Sequence, residues 1–126
     1  MTQLNVRRVD QRQRRSSKDP FQVSLRLGWC RSTSQARFRG ELWQLTWAEW
    51  QQFWPAEAWA QRGRGAGDLC LTRRDPDLPW NSTNTVRMER VAAVHVARSR
   101  AAGNDIPERL WSTAITLEDL EKRNDG

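Results

Sequence analysis

Apolar and polar residues alternate strictly near the start of the chain, between Phe21 and Trp29. Gln22, Ser24, Arg26 and Gly28 separate the apolar positions, which are Phe21, Val23, Leu25, Leu27 and Trp29. A period of two is typical of a strand with one buried face. The pattern therefore predicts a short N-terminal strand over 21–29. A polar, arginine-bearing connection follows it over 31–40.

A helical pattern follows this connection. Thr46 and Glu49 have the spacing of a capping box, in which each side chain bonds the backbone of the other residue. The apolar residues behind this start recur at helical spacing: Trp47, Trp50, Phe53 and Trp54. Pro55 ends the pattern, because the residue before a proline disfavours helix. We therefore predict a tryptophan-rich helix over 46–54. Its indoles are interpreted first as core, and alternatively as a platform for base stacking.

The second half of the chain predicts a hairpin that leads into a helix. Extended segments are expected at 69–73 and around 84–87, joined by a turn-rich loop over 75–82. A helix is then expected over about 88–101, with Gly103 just beyond its end. The fold class predicted is α+β, a small single domain with an antiparallel hairpin followed by a helix. The tryptophan-rich helix and the short N-terminal strand complete it.

Composition divides the chain into three parts. Residues 1–19 hold six basic side chains and too few apolar ones for a core, and are predicted to form a flexible basic arm. Residues 20–103 hold the predicted nucleic-acid-binding domain. Residues 104–126 carry six acidic against three basic side chains and form a predicted acidic tail. Within this tail, Thr116 is expected to cap a short helix that docks on the body.

The charge of the chain favours a polyanionic partner. The formal net charge is +6, and only Lys18 and Lys122 among the 21 basic residues are lysines. Clustered cations displace the counterions condensed on phosphates, and the planar arginine fork suits phosphate or guanine. Arg62 and Arg64, in a Gly/Arg-rich loop over 61–67 predicted to be flexible, are candidates for phosphate contacts. The alternative is a GC-rich genome that favours arginine codons.

Cysteine and histidine usage argues against a structural zinc site. Cys30 and Cys70 are isolated, and His95 is the single histidine, whereas a four-ligand zinc site needs paired ligands at short spacing. We expect reduced thiols in a cytosolic protein, with one disulfide left open. No apolar stretch approaches the roughly 20 residues of a membrane span, and no apolar segment follows the basic N-terminus as in a secretory signal. The predicted location is the cell interior.

The most informative stretch is 69–98, LCLTRRDPDLPWNSTNTVRMERVAAVHVAR. It resembles the ββα core of small phage-type HNH proteins, in which a strand ends in an acidic and basic pair before a turn, an aromatic residue, an asparagine and a helix. Four positions match the motif or lie close to it: Arg73, Asp75, Asn84 and His95. Trp80 lies at the aromatic position. The tryptophan-rich helix before a Gly/Arg-rich loop is also similar, more loosely.

The resemblance implies a site that has lost its catalytic pair. Thr72 stands where the family has a metal-binding carboxylate, and Arg73 stands where it has the general base. Arginine stays protonated at any working pH, so it cannot take a proton from water, but it binds phosphate well. Mg²⁺ or Mn²⁺ is expected only if the site is active, bound weakly by His95 together with Asp75 and Asn84. His95 is alternatively a core histidine, and Asn84 alternatively holds the turn together.

These observations predict a phage-type DNA-binding accessory protein that holds the phosphate backbone of duplex DNA. The nucleic-acid-binding residues predicted are Arg62, Arg64, Arg73, Arg74, Trp80, Arg87, Arg90 and Arg98. One alternative is a metal-dependent HNH nicking endonuclease. Another is a non-catalytic phage protein that binds a host or virion protein, which would place the chain in the host cytoplasm or in association with the virion.

Overall fold

The first helix occupies the segment predicted as a strand. The computed structural model describes residues 19–125, so the predicted arm lies outside the described residues except for Asp19. Helix α1 spans Pro20–Phe38, and the prediction of a strand over 21–29 is wrong. The Asp19 carboxylate accepts a hydrogen bond from the Phe21 N–H (3.0 Å), and Pro20 occupies the first turn. Both residue types favour a helix start at these positions.

The alternating apolar residues of α1 divide between two faces of the helix. Leu25, Gly28 and Ala36 are buried, at spacings close to the helical repeat. Val23 and Leu27, which the strand pattern places on the same face as Leu25, are 41% and 54% exposed. Since spacings of four fit both a helix and a strand, the apolar positions alone do not distinguish the two.

The tryptophan-rich helix forms where the sequence predicts it. Helix α2 spans Trp47–Phe53, and both capping-box hydrogen bonds are present, from the Thr46 N–H to Glu49 Oε1 (2.9 Å) and from the Glu49 N–H to Thr46 Oγ1 (3.1 Å). A short helix α3 follows over Ala56–Ala60. The buried residues packed together here form what we call the helical core: Leu25, Leu45, Trp50, Phe53, Trp54, Ala58, Trp59 and Leu117.

A two-stranded antiparallel sheet leads into the next helix, as predicted. Strand β1 spans Leu69–Arg73, strand β2 spans Thr85–Glu89, and helix α4 spans Arg90–Ala101. In the register of the sheet, Leu71 lies opposite Arg87. The α+β class and the hairpin followed by a helix are therefore confirmed.

The sheet separates two cores. Leu69 and Leu71 of β1 pack against the helical core. Val86 and Met88 of β2 belong to a second cluster, which we call the hairpin core and which includes Val96 of α4. Because side chains alternate between the faces of a strand, each face of the hairpin is packed against a different part of the chain.

The C-terminal segment joins both cores. A 3₁₀ turn over Glu108–Trp111 brings Leu110 into the hairpin core, and helix α5, Leu117–Asp125, brings Leu117 into the helical core. Between them, the backbone of Ile115 pairs with that of Arg87 on the outer edge of β2. The acidic segment is thus an integral part of the packed body.

Candidate nucleic-acid interface

A groove of about 750 Å³ runs between α1, the loop after α3, strand β1 and α4. The arginines that line it come from three of these elements: Arg31 and Arg39 from α1 and its cap, Arg62 and Arg64 from the loop, and Arg90 from α4. Among the described residues that line the groove, Glu41 is the one carboxylate. The groove therefore has a strong excess of positive charge.

The charge of Glu41 is already compensated. Its Oε2 lies 2.9 Å from Nη2 of Arg73, and its Oε1 accepts a hydrogen bond from the indole N–H of Trp80 (3.0 Å). Both side chains of the ion pair are at most one-fifth exposed. Because Arg73 neutralises this carboxylate, the five arginines of the groove meet no free negative charge among the lining residues in 19–125.

The Gly/Arg-rich loop over 61–67 is held in place, although the sequence predicts a flexible one. The carboxylate of Asp68 accepts a hydrogen bond from the Gly65 N–H (2.8 Å). A Cβ atom on Gly63 would overlap this carboxylate, so glycine lets the Asp68 side chain lie close to the loop without a shift. Arg90 fixes the other side of the loop, because its Nε donates to the Gly63 carbonyl (3.0 Å) and its backbone N–H to the Asp68 carbonyl (2.7 Å).

The predicted site residues Arg62, Arg64 and Arg90 are thus brought together by the loop and the start of α4. Trp80 lines the same groove. Trp80 is only partly exposed, because its ring packs 5.6 Å from that of Trp43. Its backbone N–H donates to the Leu42 carbonyl, so these contacts explain why a tryptophan lies in a polar loop. Arg98 is exposed on α4 but lies outside the groove lining.

Arg73 and Arg74 contribute to the structure of the hairpin. Besides its ion pair with Glu41, Arg73 donates from Nη1 to the Leu78 carbonyl (3.0 Å). The guanidinium of Arg74 lies over the ring of Trp111 at 5.0 Å and 4.0 Å from a Glu108 carboxylate oxygen. Arg74 remains substantially exposed, with 44% of its side chain accessible, whereas 13% of the Arg73 side chain is accessible. Of these two, Arg74 is therefore the one available to a ligand.

Asn84 holds the hairpin loop together. Its Oδ1 accepts from the Asp75 N–H, and its Nδ2 donates to the carbonyls of Asp75 and Pro79, each at 2.9 Å. A longer bond reaches the Leu78 carbonyl at 3.3 Å. With Asn84 only 6% exposed, this side chain substitutes for backbone pairing across the turn. The structure therefore supports the interpretation in which Asn84 holds the turn together.

Two of the predicted site residues lie where they cannot serve as expected. Arg87 is 7% exposed, and its Nη1 donates to the Phe53 carbonyl at the end of α2, so it is not a surface residue for nucleic acid. Burial lowers the pKa of Arg87, and the charge of Arg123 lowers it further. His95 is exposed on α4 and does not line the groove, so the core position expected as one alternative is not found.

The residues that face the groove from β1 and α4 do not fit a metal ion. The strand contributes Leu69, Cys70, Leu71 and Thr72, and the helix contributes Arg90, Ala93, Val94 and Ala97, so the thiol of Cys70 meets no carboxylate or imidazole from either element. Within residues 19–125, no group of three or more His, Cys, Asp or Glu side chains is placed to hold a metal. Asp75, Asn84 and His95, the expected weak metal ligands, therefore do not form a ligand set in the described part of the chain.

The two cysteines are free thiols. Cys30 is exposed on α1, and Cys70 is partly buried on β1, so the disulfide that the sequence left open is not formed. Burial raises the pKa of the Cys70 thiol, and a hydrogen bond with Thr72 and the charge of Arg90 oppose this rise. The protonated thiol is therefore favoured over the reactive thiolate.

Comparison with protein-family models, curated proteins and solved structures gave no match. None of the helices described in residues 19–125 has the length and apolar character needed to cross a membrane.

Arg31 and Arg39 are groove residues that the sequence reasoning did not single out. Both lie in the segment interpreted as a connection after a strand. Reading 20–38 as a helix would have placed Arg31 one turn after Gly28, on a face that approaches the rest of the protein. The Asp19-Pro20 pair was the signal that could have led to this reading.

Proposed function

We propose that the protein binds double-stranded DNA through its phosphate backbone and does not cut it. The observation that carries this proposal is the groove that five arginines line: Arg31, Arg39, Arg62, Arg64 and Arg90. The one carboxylate among its described lining residues is already paired. Such an excess of cations is stabilised when phosphates replace solvent counterions. The proposed setting is the interior of the host cell, for a protein of the phage type.

The tryptophans support phosphate contacts more than base stacking. A base stacks on an open aromatic face. Trp80 has Trp43 packed against it and the guanidinium of Arg73 5.4 Å from its ring centroid, while Arg62 lies 3.7 Å over the ring of Trp59. These indoles serve the packing of the domain, so recognition falls to the charged side chains.

An HNH-like origin of the hairpin remains part of the proposal. Its support is the order of β1, β2 and α4, together with an asparagine that holds the loop between the strands. The residue types at Thr72 and Arg73 on β1 argue against cleavage, because neither side chain can act as a metal carboxylate or a general base. A nicking endonuclease is the less supported alternative.

A protein partner is the second candidate, and exposed apolar residues favour it. Phe38 is 92% exposed and Leu42 65% exposed on either side of the turn after α1. Large apolar side chains left in water at such levels are typical of surfaces that meet another protein, when they form a patch.

A salt titration distinguishes these candidates. We expect the logarithm of the affinity for a fluorescent duplex to fall linearly with the logarithm of the salt concentration, with a slope near −5 if about six arginines contact phosphates. Binding that does not respond to salt, or no binding at low salt, contradicts the proposal and favours a protein partner. Nicking of a plasmid with Mg²⁺ or Mn²⁺, abolished in His95→Ala, favours the endonuclease.

A further inference from the structure

Two arginines of the groove lie on segments that pack together, since α3, which precedes the loop of Arg62, packs on α1. Arg31 and Arg62 line both the groove and a second, smaller hollow beside it, which also includes Val23 and Leu27 of α1. They therefore stand where the two hollows meet. Their proximity is a consequence of how Trp59 is placed.

Trp59 connects the two elements. Its indole N–H donates to Ser24 Oγ of α1 (3.0 Å), and its ring lies so close to Gly28 that a Cβ atom there would overlap it. On the same ring, the guanidinium of Arg62 lies 3.7 Å from the centroid. Because Gly28 has no side chain, the Trp59 ring packs directly on α1, and Arg62 lies on this ring. Arg31 lies about one helical turn after Gly28, so it is on the same side of α1 as Trp59 and Arg62.

The two guanidinium groups repel each other. Burial lowers the pKa of Arg62, and the charge of Arg31 lowers it further. Among residues 19–125, neither arginine takes part in an ion pair. Two like charges held together by packing are stabilised by an anion that contacts both of them.

We infer that Arg31 and Arg62 together bind one phosphate of the nucleic-acid backbone where the two hollows meet. This inference rests on the proposed function, and it assigns one phosphate to this pair. Planar guanidinium groups bind phosphate oxygens through two parallel N–H bonds. The guanidinium of Arg62 lies 3.7 Å over the Trp59 ring, and this contact helps to hold the Arg62 side chain beside the groove.

The test compares charge-neutralised variants with matched controls. Arg31→Gln and Arg62→Gln are titrated with a fluorescent duplex at several salt concentrations. Arg26→Gln is the control, because Arg26 also lies on α1 and stacks on a tryptophan, 4.3 Å over Trp47, but does not line the groove. Each groove variant should lose about tenfold in affinity or more, and the salt slope should become shallower by about one. The control should match the wild type.

The double variant tests whether the two arginines share a phosphate. If they do, Arg31→Gln with Arg62→Gln should lose less affinity than the product of the two single losses, because the first substitution already weakens the shared contact. Losses that multiply fully indicate two separate phosphates and overturn the inference. Groove variants that behave like Arg26→Gln overturn it as well, while DNA binding by the wild type leaves the proposed function standing.

Inorganic phosphate tests the pair independently of DNA. At matched ionic strength, phosphate should raise the Tm of the wild type above its value in chloride, since a ligand that binds only the folded state stabilises it. The rise should disappear in Arg31→Gln and Arg62→Gln and persist in Arg26→Gln. If the wild type binds no duplex, this experiment alone decides, and a Tm that does not respond to phosphate overturns the inference.

Discussion

Asn84 shows how one side chain can fix the geometry of a whole loop. Its amide donates to and accepts from backbone groups of Asp75, Leu78 and Pro79, so three carbonyls and one N–H of the turn depend on it. Backbone polar groups that lose their partners away from water are costly. The loop is therefore expected to be sensitive to this residue and tolerant elsewhere.

Replacing Asn84 with alanine should lower the free energy of unfolding by about 3 kcal/mol, since several backbone groups of the loop lose their partner at once and the buried Asn84 side chain is lost. Asn84→Asp keeps the acceptor but removes the donors and sets a charge against carbonyls, so it should destabilise at least as much. Urea denaturation measures both effects. The control is Asn104→Ala, at an exposed position, for which we expect a change within about 0.5 kcal/mol. Equal stabilities of the two alanine variants contradict the role given to Asn84.

Arg87 illustrates why an arginine in the sequence is an uncertain sign of a binding surface. Its position in β2 places it opposite Leu71, on the side of the sheet that faces the helical core. There it donates to the Phe53 carbonyl at the C-terminal end of α2, where the helix dipole favours a cation. The charge alone, read from the sequence, does not distinguish this role from a phosphate contact.

At the scale of elements, the capping box predicted its helix correctly, whereas the spacing of apolar residues predicted a strand where a helix forms. Thr46 and Glu49 start α2 as predicted, because a capping box specifies the hydrogen bonds of one helix end. The alternation over 21–29 was misleading, because the chain leaves Val23 and Leu27 in a solvent-facing position on a helix. Single apolar residues are common on protein surfaces, so the sequence pattern does not show which of these residues are buried.

The loop over 61–67 gives a second prediction at this scale. Asp68→Ala removes the carboxylate that accepts from the Gly65 N–H and lies close to Gly63 and Gly65. The loop should therefore open more often. We expect faster cleavage by trypsin after Arg62 or Arg64 under native conditions.

Asp77→Ala serves as the control for this experiment, because Asp77 is an exposed aspartate in another loop. Its tryptic pattern should match that of the wild type. Unchanged cleavage at 61–67 in Asp68→Ala would mean that the contacts with Arg90 suffice to hold the loop.

The start of α5 predicts a dependence of stability on pH. The Thr116 N–H donates to Asp119 Oδ2 (3.0 Å), and hydrogen bonding by Thr116 lowers the pKa of Asp119. A carboxyl group with a lowered folded-state pKa stabilises the fold above its unfolded pKa, and this contribution is lost as the pH falls below about 4.

Asp119→Asn should therefore reduce the loss of Tm between pH 5 and about pH 2, while it retains an oxygen acceptor for the Thr116 N–H. The effect should be small, because Asp119 is exposed. Glu121→Gln, on the same helix, is the control and should lose as much Tm between pH 5 and about pH 2 as the wild type does. A steeper acid loss in Asp119→Asn than in the wild type contradicts this role.

At the scale of the whole molecule, the sequence predicted some of the arginines of the groove but not the elements between which the groove lies. Arg62, Arg64 and Arg90 were predicted as binding residues, because the loop and the start of the helix were assigned close to their actual places. Arg31 and Arg39 come from the element whose class was wrong. A groove between elements that lie far apart in the chain depends on tertiary packing, which local patterns do not report.

The basic N-terminal segment should add to DNA binding through its charge. Residues 1–18 carry six basic side chains against one acidic one, Asp10. Their removal should make the salt slope shallower by a few units and weaken binding most at low salt. The truncation should keep Asp19, because this residue caps α1, and an unchanged Tm checks that the body remains folded. An unchanged slope would confine DNA binding to the body.

The placement of Leu117 in the helical core has a consequence for the time course of folding. During synthesis, the ribosome completes Trp50 and Trp59 well before it reaches Leu117, so their apolar surface lacks a packing partner from α5 in the nascent chain. Contacts between residues far apart in sequence also form slowly. We therefore expect the nascent protein to expose tryptophan surface until α5 emerges, and to depend during this interval on chaperones that bind apolar segments.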